Sequence, residues 1–294
     1  MKSKIAFLFP GQGTVPNHLP PDCKRSETLL RLAAQAEIPV GKWLQKGDTN
    51  RLSQTEFAQP AIFIDSMGKD EALRSCGIIP SVVAGHSLGE YAALVSAGVL
   101  TPESALQVVI RRGHLMGQVC RGGMAAILKL SREEVQTVCT RVGDGVNMAN
   151  INGPTQIVIS GDETALEHAM AACEELGGRA IRLNVSGPFH SPLLAPSQTD
   201  LAPLIEELVF HSPSTAYVSS MSGLMEEDPD AIKALLLTQI TACVQWVDTI
   251  ESLARMNIQR AIEVGPGKVL TNLGRRITDK IEFITFEEAT DGII

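Results

Sequence analysis

Apolar and polar residues follow one another along the chain in runs that predict alternating strands and helices. The continuous apolar run Ile5–Phe9 ends in Pro-Gly, a pattern typical of a buried parallel strand that leads into a turn. A second short apolar run occupies residues 80–84 and also leads into glycine. Helical periodicity covers about residues 60–74, 88–97 and 102–119. This order predicts an α/β domain with a parallel sheet.

Shorter units begin near residue 124. Strands are predicted at 124–130, 146–151, 156–161 and 179–185, and helices at 132–142 and 163–176. The resulting β-α-β-β-α-β order is that of a ferredoxin-like subdomain. We therefore predict an insertion of roughly residues 121–187 in a larger α/β domain, to which the chain returns with a strand at Ala261–Val264.

Composition narrows the classes of function. The 294 residues can bury a full core, and the formal net charge of −8 argues against a nucleic-acid-binding protein, which would carry a basic face. Six cysteines occur without a Cys-x-x-Cys pair, so the sequence predicts neither a disulfide framework nor a zinc site and favours the cytoplasm. The first apolar stretch is five residues long, too short for a signal peptide or a membrane span.

A candidate nucleophile lies between the second predicted strand and the helix that follows it. Residues 85–89, Gly-His-Ser-Leu-Gly, match the G-x-S-x-G elbow, in which small residues allow a sharp turn that exposes the serine oxygen. We predict that Ser87 is this nucleophile and that the Leu88 N–H, at the start of a helix, can bind an oxyanion. The alternative is a glycine-rich strand-to-helix turn without catalytic function.

A serine nucleophile needs a base, and the chain offers six histidines. His190 lies in a stretch rich in turn-forming residues just after a predicted strand, where a catalytic loop residue is expected. The turn should aim the His86 side chain away from Ser87, and His168 falls in the middle of a predicted helix. The pattern favours His190 but leaves a purely structural histidine open.

Arg112 occupies an unusual position for a charged residue. It falls within the apolar stripe of the helix that follows Thr101, whereas Arg111 lies on the polar face. A buried guanidinium requires an anionic partner, and its planar fork suits a carboxylate. That carboxylate could belong to a substrate or to one of the protein's own acids, and the pattern leaves both possibilities open.

Several motifs in order along nearly the whole chain resemble those of malonyl-CoA:acyl-carrier-protein transacylases, the discrete acyltransferases of fatty-acid or polyketide synthesis. The motifs are FPGQG at 9–13, GHSLGEYA at 85–92, Arg112-Gly113, NINGPTQ at 150–156, Phe189-His190-Ser191, Gln239 with VQW at 244–246, and EVGPGKVL at 263–270. The resemblance implies an α/β-hydrolase-like core, residues 1–120 and 188–294, with the ferredoxin-like subdomain inserted at 121–187.

The resemblance also implies a role for each catalytic residue. Ser87 would be acylated, with His190 as its base and the main-chain carbonyl of Gln239 orienting the imidazole. The backbone N–H groups of Gln12 and Leu88 would form the oxyanion hole. The reaction would be ping-pong, with coenzyme A leaving before the carrier thiol enters.

Substrate contacts follow from the same resemblance. Arg112 would pair with the free carboxylate of the malonyl group, and Phe189, Gln59 and Asn152 would also contact substrate. The bulk of Phe189 would crowd an α-methyl group, as in polyketide modules selective for malonyl. The partners would be malonyl-CoA and the phosphopantetheine arm of an acyl carrier protein, with no bound cofactor or metal, no nucleic-acid or membrane partner, and a monomeric state.

Two other functions compete with this prediction. A related hydrolase that transfers the acyl group to water would share Ser87 and His190, but it would not need Arg112 for acyl groups that lack a carboxylate. A catalytically silent scaffold would have no physical reason to retain the complete set of site residues. One departure from the family is the segment Thr14–Pro21 in place of the usual Ser-Gln, so the resemblance does not predict the shape of the entrance loop.

Overall fold

The computed structural model describes residues 4–20, 23–119 and 121–291, which form two β-sheets with helices packed on them. The strands are β1 Ile5–Phe9, β2 Val82–Gly85, β3 Gly123–Leu128, β4 Val146–Gly153, β5 Gln156–Gly161, β6 Arg179–Arg182, β7 Ala216–Val218, β8 Met225–Glu226, β9 Arg260–Glu263 and β10 Glu282–Thr285. The helices are α1 Lys24–Gln35, α2 Val40–Lys46, α3 Thr49–Leu52, α4 Thr55–Ser75, α5 Gly89–Ser96, α6 Pro102–Gly117, α7 Arg132–Val142, α8 Glu163–Glu175, α9 Ala195–Glu206, α10 Pro229–Thr238, α11 Trp246–Arg255, α12 Val269–Ile277 and α13 Phe286–Thr290.

The larger sheet has the strand order β10-β9-β1-β2-β7-β8. All of its strands run parallel except β8, which pairs antiparallel with β7 at one edge. The central strands β1 and β2 are apolar and almost entirely buried, as expected for strands that helices cover on both faces. The predicted α/β class with a parallel sheet is confirmed, and the carboxyl ends of β1, β2 and β9 meet at one edge.

The smaller sheet is antiparallel, with the order β4-β5-β3-β6. Helices α7 and α8 each begin at a side-chain cap, Ser131 and Asp162, and pack their apolar faces against the sheet. The predicted order of strands and helices is present. Strand β6 is shorter than predicted and ends at Arg182, because the Val185 N–H bonds back to the Leu183 carbonyl and turns the chain out of the sheet.

Helix α4 begins earlier than predicted, at Thr55 rather than near Pro60, and the proline lies inside it. Proline removes one backbone hydrogen bond from a helix and frees the carbonyl four residues earlier, that of Glu56. Gly113 of α6 packs against this turn, where an added Cβ would lie 3.0 Å from the Glu56 oxygen. Close contact between α4 and α6 therefore supports a helix that local sequence alone would break.

Residue 120, at the predicted boundary of the insertion, lies outside the described residues, as does Pro21. No helix in the described residues is both long and apolar enough to span a lipid bilayer.

The contact between β1 and the start of α5 sets the position of the segment that follows β2. A Cβ added to Gly89 would lie 1.9 Å from the Phe9 carbonyl oxygen, so only glycine permits this approach.

We expect Gly89→Ala to lower the free energy of unfolding by about 1–3 kcal/mol or more, because the methyl group must displace backbone. Gly41→Ala is the matched control, since an added Cβ there meets only Leu30 at 3.6 Å inside a helix, and it should be neutral or stabilising. Denaturant unfolding of both variants measures the difference. Equal stability of Gly89→Ala and wild type would contradict the close contact.

Candidate active site

Ser87 lies in the turn between β2 and α5, with a left-handed backbone conformation (φ 51°). The turn is tight enough that a Cβ added to Gly85 would lie 2.1 Å from the Gly89 carbonyl oxygen. Small residues on both sides are therefore required by the path of the chain. This geometry places the serine hydroxyl at the carboxyl edge of the parallel sheet and at the amino terminus of a helix.

The Ser87 hydroxyl lies 2.7 Å from Nε2 of His190. The other ring nitrogen, Nδ1, lies 3.1 Å from the carbonyl oxygen of Gln239 and 2.9 Å from that of Ala242. Because a carbonyl only accepts, Nδ1 carries the proton and Nε2 presents its lone pair to the serine hydroxyl. The structure thus brings together three residues that the sequence analysis had grouped, and it adds Ala242.

His190 is held by its main chain as well as by its ring. Its backbone is left-handed (φ 57°), and its carbonyl accepts a hydrogen bond of 2.8 Å from Nδ2 of Asn147 on β4. Burial, assisted by the positive charge of Arg112, lowers the pKa of His190 from 6.5 to about 3. The ring is therefore neutral at neutral pH, the state in which it can accept a proton.

Arg112 is 1% exposed and points its guanidinium at the same serine. Its Nη1 donates to Oε1 of Gln59 at 2.8 Å and its Nη2 to the Ser87 hydroxyl at 3.1 Å, while Nε has no hydrogen-bond partner. The ion pairs among the described residues do not include Arg112. Burial lowers the pKa of Arg112, but its guanidinium remains a buried cation whose hydrogen bonds go to neutral groups.

A cavity of about 180 Å³ opens beside Ser87 and His190. Ser87, His190, Gln12, Asn152 and Phe189 line it, with mostly apolar side chains around them: Met116, Met124, Val158, Leu183, Val185, Val269, Leu270 and Leu273. A mostly apolar cavity with a few polar groups is typical of a site that binds a small molecule.

The remaining predicted residues lie around this cavity. Nε2 of the His86 ring lies 2.8 Å from Oδ1 of Asn152, and the ring packs edge-on against Trp246. Gln12 follows β1, and its side chain bonds to Thr55 and Gln59. Leu88 is the N-cap residue that directly precedes α5.

The unusual segment after Gly13 can be followed as far as Pro20. Thr14 packs against the loop that precedes α12, so closely that a Cβ on Gly267 would lie 2.6 Å from its hydroxyl. Pro20 packs towards Gly68 of α4. The two ends of the segment therefore pack against different elements, the loop before α12 and helix α4.

Asn147 and Ala242 are the site residues that the sequence analysis did not identify. Ala242 contributes only a carbonyl oxygen, which every residue possesses, so its side chain gives no signal. Asn147 lies in a strand whose partners are known only after folding. The described residues contain no group of three or more His, Cys, Asp or Glu side chains suited to a metal ion.

The fold and the serine–histidine pair, together with a helix amino terminus behind the serine, define an enzyme of acyl transfer. Residues 23–288 match the family model described as "Acyl transferase domain". The chain belongs to this family and, within it, to the group of malonyl-CoA:acyl-carrier-protein transacylases.

Relatives with this description come from distant bacteria. The malonyl CoA-acyl carrier protein transacylase of Escherichia coli K12 is 35% identical over 291 residues, which are 95% of this chain and 94% of that protein. The Bacillus subtilis 168 protein of the same name is also 35% identical, over 97% of this chain and 94% of its own length.

Solved structures show the same similarity in three dimensions. The acyl carrier protein S-malonyltransferase of Vibrio cholerae superposes with a TM-score of 0.91 at 34% identity, covering 96% of both chains. A malonyl-transacylase in complex with its type II PKS acyl-carrier protein gives a TM-score of 0.90 at 33% identity, again covering 96% of each chain.

We expect the free energy of unfolding to fall as the pH is lowered from 6.5 towards 3. The unfolded chain binds a proton on His190 in this range, whereas the folded protein does not, so the contribution is present above pH 6.5 and lost below it. His190→Asn should therefore show a smaller slope in denaturant unfolding between pH 4 and 7. An unchanged slope would mean that His190 is not buried in its neutral form.

Proposed function

We propose that this enzyme moves a malonyl group from malonyl-CoA to Ser87, and from Ser87 to the phosphopantetheine thiol of an acyl carrier protein in polyketide or fatty-acid biosynthesis. The observation that carries the substrate assignment is the buried Arg112 guanidinium, which faces the serine without a carboxylate of its own. A malonyl thioester brings the missing anion, because one end of the acyl group is a free carboxylate.

The first half-reaction begins with proton transfer from the Ser87 hydroxyl to Nε2 of His190 as the serine oxygen attacks the thioester carbonyl. The tetrahedral oxyanion would be bound by the backbone N–H groups of Gln12 and Leu88, aided by the amino terminus of α5. The C–S bond then breaks, and the departing thiolate of coenzyme A takes the proton from His190. Neutral His190 and an acyl-serine remain.

The second half-reaction reverses these steps with a different thiol. The carrier's phosphopantetheine sulfur gives its proton to Nε2 of His190 and attacks the ester carbonyl. The C–O bond breaks, and Ser87 recovers the proton. The carbonyls of Gln239 and Ala242 would keep Nε2 aimed at the reacting oxygen and stabilise the imidazolium that forms transiently.

Specificity for the malonyl group would come from Arg112 beside the serine and from Phe189 in the cavity wall. Gln59 holds one edge of the Arg112 fork, which leaves the other side to pair with the substrate carboxylate in place of the serine oxygen. Phe189 lies 7% exposed in the wall beside the base, where its ring would oppose an α-methyl substituent. Asn152, held by His86, would contact the acyl or pantetheine chain.

The carrier protein would approach over α12, whose first turn forms part of the cavity wall. Lys268, which precedes this helix, and Arg275 and Arg276 in its last turn are exposed and positively charged. An acidic carrier would be attracted to such a surface.

We assign residues 1–120 and 188–294 to an α/β-hydrolase-like core and residues 121–187 to a ferredoxin-like subdomain, with the active site in the cleft between them. The serine elbow after a parallel strand supports the first assignment, and the antiparallel order β4-β5-β3-β6 supports the second. A cytoplasmic location and a monomeric state remain predictions.

Intact mass spectrometry after mixing with malonyl-CoA, methylmalonyl-CoA or acetyl-CoA tests the transfer. We expect a malonyl adduct that is absent in Ser87→Ala and that moves to a phosphopantetheinylated carrier protein. Loss of the adduct to water without a carrier would identify a hydrolase, and no adduct with any thioester would identify a silent scaffold.

Replacing Arg112 tests the carboxylate contact. Arg112→Ala should cost about 2–5 kcal/mol in kcat/KM for malonyl-CoA and improve the relative acceptance of acetyl-CoA, because a desolvated charge pair is lost. Arg111→Ala, on the exposed face of the same helix, is the matched control and should leave both rates unchanged. Equal losses for malonyl and acetyl transfer would make Arg112 a structural residue.

A further inference from the structure

Glu90 is a buried carboxylate on the first turn of α5, directly behind the Ser87 turn and 1% exposed. Its Oε1 accepts hydrogen bonds from the hydroxyls of Tyr217 and Ser219 and from the Ser220 N–H, and its Oε2 accepts one from the Ser220 hydroxyl. These partners follow one another at the end of β7. The carboxylate therefore joins α5 to the neighbouring strand.

Two of the groups that face the Glu90 carboxyl group can only donate a hydrogen bond to it. Oε1 faces the backbone N–H of Ser220 and Oε2 faces the side-chain NH₂ of Gln239 at 3.4 Å, and neither nitrogen can accept a proton. The Ser219 hydroxyl accepts from the Met221 N–H and donates to Glu90. Burial raises the pKa of Glu90, and the hydrogen bonds from Ser220, Tyr217 and Ser219 oppose that rise.

Gln239 connects this carboxylate to the reacting groups. Its side-chain nitrogen donates to the Ser87 carbonyl at 2.8 Å as well as to Glu90, and its main-chain carbonyl accepts from Nδ1 of His190. Gln239 is fully buried. A single residue thus contacts the carboxylate, the backbone of the nucleophile and the ring of the base.

We propose that Glu90 is a positioning residue for acyl transfer: it fixes the Gln239 amide against the serine turn and thereby sets the carbonyl that orients His190. In a Ser-His-Asp site the carboxylate touches the imidazole directly. Here Glu90 acts one residue further away, through an amide side chain and the peptide group attached to it. The inference rests on the proposed function of Ser87 and His190.

Glu90→Gln tests this role because it keeps the shape of the side chain while replacing one accepting oxygen with an NH₂ group. The rate constant for acylation of Ser87 by malonyl-CoA, measured in a single turnover, should fall about 10- to 100-fold. Losses of this size are typical when a residue that orients a metal-binding side chain is replaced, and we expect a similar effect for a residue that orients a catalytic base. The KM for malonyl-CoA should stay near that of wild type, because Glu90 is not among the residues that line the cavity.

Tyr217→Phe is the matched control. It removes one donor to the same carboxylate but leaves the contact between Glu90 and Gln239 in place, so it should lower stability while acylation proceeds at the wild-type rate. If Tyr217→Phe and Glu90→Gln slowed acylation equally, or if Glu90→Gln changed only the stability, Glu90 would be a structural residue.

Gln239→Ala supplies a second, independent arm. It retains the main-chain carbonyl but cuts the link, so it should slow acylation about as much as Glu90→Gln, and the double variant should be no slower than either single variant. Additive losses would overturn the inference. If Glu90→Gln does not fold, Gln239→Ala and Tyr217→Phe still test the role of Glu90. An unchanged acylation rate in Gln239→Ala would overturn that role.

Failure of the inference and failure of the proposed function give different results. A wild-type protein that malonyl-CoA never acylates would overturn the function. A wild-type protein that is acylated, beside a Glu90→Gln variant acylated at the same rate, would overturn only the role of Glu90.

Discussion

The hydrogen bond between Ser87 and His190 is the contact on which the rest of the site depends. It joins two segments that are far apart in the chain, and both residues have a left-handed backbone. Such conformations cost on the order of 1–3 kcal/mol each and persist only where the surroundings fix them. Around Ser87 this is done by Gly85 and Gly89, which allow the chain to fold back on itself. Around His190 it is done by the Asn147 amide and by two carbonyls that hold the ring.

The buried charge of Arg112 influences both the base and any substrate that binds beside it. Arg112 is buried with neutral partners, and its positive field adds to burial in keeping His190 neutral. A bound carboxylate would satisfy the guanidinium and also reduce the penalty for forming the imidazolium, because the nearby positive charge would then be neutralised. Binding and proton transfer would thus be coupled through one side chain. An acyl group without a carboxylate would leave Arg112 unpaired and His190 a weaker base.

The sequence predicts those features of the fold and the site that depend on neighbouring residues in the chain. Ser87 was identified by a strand, a turn motif and a helix in succession, and Arg112 by its place in an apolar stripe. His190 could not be separated from other histidines by pattern alone, since its partners lie on other segments, and its role was predicted only by resemblance to a family. The predicted start of α4 is wrong because proline favours the first turn of a helix, whereas Pro60 lies inside α4. The packing of Gly113 against the turn before Pro60 explains how the helix extends through the proline.

Orientation of the histidine by main-chain oxygens has an evolutionary consequence. A carboxylate that performs this task can be lost through a single codon change, whereas the Ala242 carbonyl is supplied by any amino acid at that position. The contact therefore depends on the path of the backbone and not on which side chain occupies position 242. A substitution at residue 242 therefore leaves the alignment of the base unchanged, provided that the loop after α10 keeps its course.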